Sequence, residues 1–135
     1  MILEGKRIFI VEDSVGTNAL IQFLLEQNGA EVLFEQQGRN IITALQAFPA
    51  VDLIILDLML WDGVTGHDIF DEISTLPHYS TIPIIAVSAA DPDTAIPETR
   101  ARGFSGFIGK PIDYNLFPKQ IAQVLDGEKV WFTRP

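Results

Sequence analysis

A chain of 135 residues, 47% hydrophobic and 20% charged, is the size of one ordinary domain and has enough apolar mass for its own core. With no cysteine it can build no disulfide, thiolate zinc site or thiol nucleophile. Eighteen acidic against nine basic residues leave a formal charge of −9, a field that repels phosphate backbones and argues against direct nucleic-acid binding.

The amino-terminal "MILEGKRIFIVED" offers neither a signal peptide nor a membrane span, so a reducing, cytoplasmic setting is expected. "RIFIV" (7–11) reads as the first strand. Ser14 is placed to cap a first helix that runs to Asn28, with Val15, Ala19, Phe23 and Leu24 near one face and Gly29 as its stop. "EVLF" (31–34) is a second strand. A second helix follows from about Arg39 to Phe48, with Ile41, Ile42, Leu45 and Phe48 inward and Pro49 ending it. "VDLIIL" (51–56) is the third strand, and a loop with Asp62 and Gly63 leads to a third helix over 66–75. "IPIIAVS" (82–88) and "GFIG" (106–109) supply strands four and five, and a last helix ends near Leu125. No repeat, low-complexity tract or linker interrupts this single unit, taken as residues 1–126 with a tail at 127–135.

Five strands alternating with helices imply a parallel sheet covered on both faces, with ligands beyond the carboxyl ends of the strands. Chemistry collects at those ends: Glu12 and Asp13 after strand one, Asp57 after strand three, Ser88 at the end of strand four, and Lys110 with Pro111 after strand five. If strands one and three are neighbours, three carboxylates converge, and their repulsion demands a cation. A hard divalent ion that keeps several waters, typically Mg²⁺, suits such a cluster. With an ammonium and a hydroxyl added, the set suits receipt of a phosphoryl group, Asp57 being a nucleophile able to form an aspartyl phosphate. In isolation each residue has a plainer reading: Asp57 as a turn residue, Glu12-Asp13 as a solvated turn, Ser88 as a helix cap, Lys110 as a surface charge. Their order and spacing favour the set.

These motifs make the chain similar to the receiver domains of two-component response regulators, the CheY-like type, from about Arg7 to Leu125. The likeness rests on the acidic pair after "RIFIV", on "DLIILDLML" around Asp57, on "AVSA" around Ser88 and on "GFIGKP" around Lys110. It implies a flavodoxin-like (βα)5 three-layer sandwich with a five-stranded parallel sheet in the order 2-1-3-4-5. It further implies that Asp57 accepts phosphate from a histidine kinase or a histidine phosphotransfer protein. Glu12, Asp13, Asp57 and the backbone carbonyl of Met59 would hold Mg²⁺. Lys110 would pair with the phosphoryl oxygens, Ser88 would turn toward them, and Phe107 would follow as an aromatic switch. The Lys110–Pro111 bond is expected to be cis in such domains.

The chain also departs from the pattern. Trp61 stands where the family commonly has proline, either touching a partner or only packing. Pro92 and Pro97 fall in the fourth helical region; Pro97 is acceptable if it opens a shortened helix, with 94–96 as lead-in. Pro118 raises the same problem for the fifth helix unless Asn115 caps it. Because the family signals through the fourth helix, fifth strand and fifth helix, the output partner cannot be carried over, and a homodimer through that face or the tail stays open. Met59 and Ala90 offer no side chain to orient an attacking water, which points to a long-lived phosphoryl state. In the tail, Val130, Trp131 and Phe132 either form a contact or fold back over the domain; the second is favoured. His67 and His78 are expected at the surface, away from the acids.

The function expected is a stand-alone receiver that signals through protein contacts and catalyses only its own phosphorylation and dephosphorylation. A degenerate receiver serving as a non-phosphorylated scaffold is the alternative. "GFSGFIGK" (103–110) fails as a P-loop, since Phe104 and Pro111 stand where glycine and Ser or Thr are needed. A haloacid-dehalogenase-type phosphatase would want an acid at Met59. A flavin carrier would not place the acids of "EDSVGTN" against a phosphate.

Overall fold

A computed structural model of the chain describes residues 1–35, 40–60 and 63–134. The strands are β1 (Arg7–Val11), β2 (Glu31–Glu35), β3 (Leu53–Leu56), β4 (Ile84–Ser88), β5 (Gly106–Gly109) and β6 (Val130–Phe132). Between them lie α1 (Val15–Gln27), α2 (Ile41–Gln46), α3 (Gly66–Ser74), α4 (Pro92–Arg102) and α5 (Phe117–Leu125), with a 3₁₀ turn at Pro77–Tyr79. All strands pair in parallel, in the order β2-β1-β3-β4-β5-β6. The flavodoxin-like sandwich is therefore present with one strand more than the five expected.

The unbroken apolar run of β3 follows from its central place. Leu53 and Ile55 join the core beneath α1 and α5, while Ile54 and Leu56 join the one beneath α2, α3 and α4. Asp57 ends that run as the first residue past the strand, its N–H donating to the Val11 carbonyl (3.0 Å) and extending the β1–β3 ladder by one rung.

Several helix readings need correction. On α1 the buried residues are Asn18, Ile21, Leu24 and Leu25, while Val15 and Phe23 are 69% and 62% exposed. The bulk of Ile21, Leu24 and Leu25 decides which face turns inward, and the line Val15–Ala19–Phe23 is left outside. Pro97 does not open a shortened fourth helix. Asp91 caps α4 through the Asp93 N–H (3.1 Å), Pro92 takes the first turn, and Pro97 lies inside the helix on its exposed side. The bond that Pro97 forgoes is to the exposed Asp93 carbonyl position, where water can substitute. In α5, Asp113 rather than Asn115 satisfies the entry, its Oδ1 accepting from the N–H groups of Asn115 (2.9 Å) and Leu116 (3.0 Å). Pro118 then falls in the first turn, where its missing N–H costs nothing. His67 is not a surface residue: its half-buried ring meets Phe104 edge-on at 5.9 Å and its Nε2 lies 3.3 Å from Glu98 Oε2. Trp61, Asp62 and the start of the second helix at Arg39 lie outside the described residues.

The tail folds back. Gly127, at φ +94°, reverses the chain after α5, and the N–H groups of Gly127 and Glu128 close on the carbonyls of Val124 and Gln123, both at 3.0 Å. The β-type run Val130–Phe132 then lies along β5.

Thr65 caps α3 in a reciprocal box with Asp68, which drives Gly66 against the β3 end. A Cβ on Gly66 would fall on the Asp57 carbonyl oxygen and within 3.0 Å of Leu58 Cα. Gly66→Ala is therefore expected to destabilise the fold by roughly 1–3 kcal/mol through overpacking, measured as a fall in the urea midpoint at unchanged slope.

Candidate functional site

The carboxyl edge of the sheet gathers Glu12, Asp13, Asp57 and Lys110. Glu12 is 3% exposed and Asp57 5% exposed, whereas Asp13 faces solvent. One carboxylate oxygen from each acid lies within 4.8 Å of the other two. The Lys110 Nζ donates to Asp57 Oδ2 (3.0 Å) and to Glu12 Oε1, so one ammonium bridges both buried acids. Backbone amides hold the remaining oxygens: Met59 N–H donates to Asp57 Oδ1 (3.1 Å), and Asp13 N–H donates to Glu12 Oε2 (3.0 Å).

Lys110 is aimed by β5, its N–H donating to the Ser88 carbonyl (2.9 Å) just beyond the Ser88–Gly109 rung. The Lys110–Pro111 bond is cis, as the resemblance implied. Ser88 is fully buried at the β4 end, and its hydroxyl accepts from the Ala90 N–H (3.2 Å). Phe107 is fully buried within β5. Met59 exposes its side chain, and Ala90 is half-buried. The structure thus brings the acids and Lys110 into direct contact and places Ser88 on the adjoining strand end. Phe107 lies in the core, two residues before Gly109, and not in the pocket itself.

Asn18 escaped the sequence reading. Its Nδ2 donates to the Glu12 carbonyl (2.9 Å) from the buried face of α1, fixing the turn that points Glu12 inward. A polar residue on the apolar face of an amphipathic helix was the available clue.

Burial pushes the Glu12 carboxyl up from 4.5 to about 7, against the Lys110 hydrogen bond, and proximity to Asp57 adds to the rise. Lys110 is raised: burial disfavours its charge, but the hydrogen bonds and charges of Glu12 and Asp57 outweigh that cost. One ammonium cannot neutralise three carboxylates, and the donor set is all hard oxygen with Asp13 open to solvent. It fits a divalent cation that retains water.

The family model of the response regulator receiver domain matches residues 8–122, and the chain belongs to that family. It is 30% identical to the protein PilH of Pseudomonas aeruginosa over 90% of this chain and 98% of that one. It is equally 30% identical to the sensor histidine kinase GacS of Pseudomonas protegens, but spans only 13% of that protein's length. Among solved structures, the receiver domain of a DNA-binding response regulator from Colwellia psychrerythraea superposes with a TM-score of 0.79 at 26% identity, covering 90% of this chain and 98% of that one. The chemotaxis regulator CheY4 of Vibrio cholerae, at 23% identity, shares the fold with a TM-score of 0.78 over 88% and 98% of the two chains. The chain is thus a two-component signalling domain. No helix among the described residues is long and apolar enough to cross a membrane.

Because the folded Glu12 binds its proton more tightly than an unfolded one, its contribution to stability is full below about pH 4.5 and is lost as pH rises through about 7. Without added divalent ions, unfolding free energy compared between wild type and Glu12→Gln is expected to diverge over that window, wild type losing stability as pH rises. Parallel pH profiles would contradict the assignment.

Proposed function

We propose that the chain is a stand-alone receiver that accepts a phosphoryl group on Asp57 and signals through protein contacts. The observation that carries this reading is Asp57 itself: a buried carboxylate held by a backbone N–H on one oxygen and by Lys110 on the other, beside two further acids. The nearly end-to-end match with PilH favours a receiver acting alone over the receiver of a larger kinase.

Glu12, Asp13, Asp57 and the Met59 carbonyl would hold Mg²⁺, which supplies charge neutralisation for the incoming phosphoryl oxygens. Asp57 attacks the phosphorus of a partner's phosphohistidine; a P–O bond forms, the P–N bond breaks, and the imidazole leaves with the bonding pair. Lys110 then exchanges its carboxylate partners for phosphoryl oxygens, and the Ser88 hydroxyl, which accepts from the Ala90 N–H, is the neighbouring group that turns toward them. Phe107 would respond from the adjoining strand.

A donor protein has a place to dock. An apolar groove of about 340 Å³ lined by Thr17, Leu20, Ala89, Pro111, Ile112 and Tyr114 opens beside Lys110. Val15 and Phe23 extend apolar surface along α1. Both fit a histidine kinase or phosphotransfer protein that presents its histidine on a helical surface.

Incubation with Mg²⁺ and acetyl phosphate is expected to add one phosphoryl group to the intact mass, lost in Asp57→Asn and on chelation. Lys110→Ala should slow the gain by about 10²–10³-fold, the usual cost of one preorganised charge-stabilising donor. No gain, together with no beryllofluoride binding, would leave a scaffold. Once formed, the phosphoprotein should decay slowly, since Met59 and Ala90 give water no orienting group; rapid loss of the added mass would refute that point.

A further inference from the structure

The tail strand β6 is seated against the site's own framework, and lightly. Only three residues pair with β5: Val130 with Gly106, Trp131 with Phe107, and Phe132 with Ile108. Its seat depends on glycine, because a Cβ at Gly106 would stand 2.5 Å from the Val130 carbonyl oxygen. Trp131 shares the sheet face of buried Phe107 and lies under the Arg100 guanidinium of α4, 4.6 Å from the ring centroid. Beyond the strand, the Arg134 Nη1 donates a long bond (3.4 Å) to the Pro111 carbonyl. All three strand residues remain half-buried.

These contacts place one short segment of backbone, Gly109–Lys110–Pro111, between two sets of demands. On one side the Lys110 ammonium reaches Glu12 and Asp57. On the other, the Phe132 carbonyl and Thr133 Cα pass about 3.7 Å from where a Gly109 Cβ would stand, and Arg134 holds Pro111. Lys110 therefore joins the carboxylate pocket to the backbone on which the tail rests. Resting on the receiver reading above, we propose that β6 is a releasable strap across β5, seated while Lys110 bridges Glu12 and Asp57 and unseated when Asp57 carries a phosphoryl group. Its release uncovers the β5 edge and the Phe107 face.

The strap and the pocket must then be coupled reciprocally: occupancy at Asp57 weakens the seated strap by the factor by which strap release strengthens binding there, and a change that weakens the strap raises affinity up to that limit. The chain has two tryptophans, so Trp61→Phe leaves Trp131 as the sole indole reporter in an otherwise unaltered chain. Beryllofluoride with Mg²⁺ serves as the stable stand-in for the phosphoryl group, its binding followed separately by fluorine NMR. Occupancy is expected to raise acrylamide quenching of Trp131 and to speed amide exchange at 130–132. Arg100→Ala, a change at an exposed side chain, should tighten beryllofluoride affinity by about fivefold, the lower end of ordinary coupling. Gly106→Ala, which pushes the strap off from the opposite side, should do the same where it folds.

Bound beryllofluoride with unchanged Trp131 quenching and unchanged affinity in Arg100→Ala would overturn the strap while leaving the receiver reading intact. Absence of beryllofluoride binding in the unaltered chain and in every variant would overturn both, since the strap would then have nothing to answer to.

Discussion

The constraint on which the rest depends is the sharing of one ammonium between two buried carboxylates. Glu12 and Asp57 are nearly inaccessible to water, and an isolated charge in that position would be expelled or neutralised. Lys110 makes the burial tolerable only if three strands deliver their ends to one point within a few ångströms. The backbone achieves this by carrying the ladder one step past the strands, from Asp57 N–H to Val11 and from Lys110 N–H to Ser88. Removing one member of such a buried set typically costs about 3–5 kcal/mol, so the pocket constrains the sheet as much as the sheet builds the pocket. The arrangement is also unfinished in charge, and that surplus of negative potential is what a divalent ion would offset before an anionic phosphoryl group could be received.

The helices around this edge are not equally anchored. α5 buries Phe117, Ile121 and Val124, and α1 buries Ile21, Leu24 and Leu25. α4 buries only Ala95 and Thr99, and it carries a proline in its interior. It is held from its flanks instead: His67 and Asp71 of α3 meet Glu98 and Arg102 at matching one-turn intervals, and Arg100 lies over Trp131 on the other side. The exposed Asp71–Arg102 pair contributes roughly 0–1 kcal/mol. α4 is therefore lightly anchored through its buried face, and Arg100 ties it to β6.

The sheet and the pocket were legible in the sequence because both rest on short-range facts. Apolar runs of four to six residues mark central strands, and a parallel sheet puts every strand end on one side, so Asp13, Asp57, Ser88 and Lys110 could be grouped without coordinates. What failed was decided by competition between faces or between caps. Phe23 and Leu24 are equally apolar as letters, and only the positions of Ile21 and Leu25 settle which turns inward. Asn115 and Asp113 are both plausible caps, and the local turn chose the acid. His67 looked exposed because nothing in its own helix announces Phe104 and Glu98, which arrive from far along the chain. The sixth strand had a readable mark, a glycine after the last helix and then Val-Trp-Phe-Thr, but a strand of three residues has too little pattern to claim a partner by itself.

That short strand changes how the sheet meets its surroundings. A parallel sheet ends in two edges, and each exposes unpaired backbone unless something covers or charges it. At β2 the edge is dressed with Glu31, paired to Arg7, and Glu35. At the other side β5 has a glycine at each end, and at Gly106 the backbone of β6 approaches closer than a Cβ would allow. The chain fills that edge with its own tail and anchors it to α4 through Arg100 and to Pro111, the residue after Lys110. A segment intended only to blunt an edge would need neither anchor, since charge or a single proline suffices. Its attachment at those two points is what ties the state of the carboxylates to the surface presented by β5.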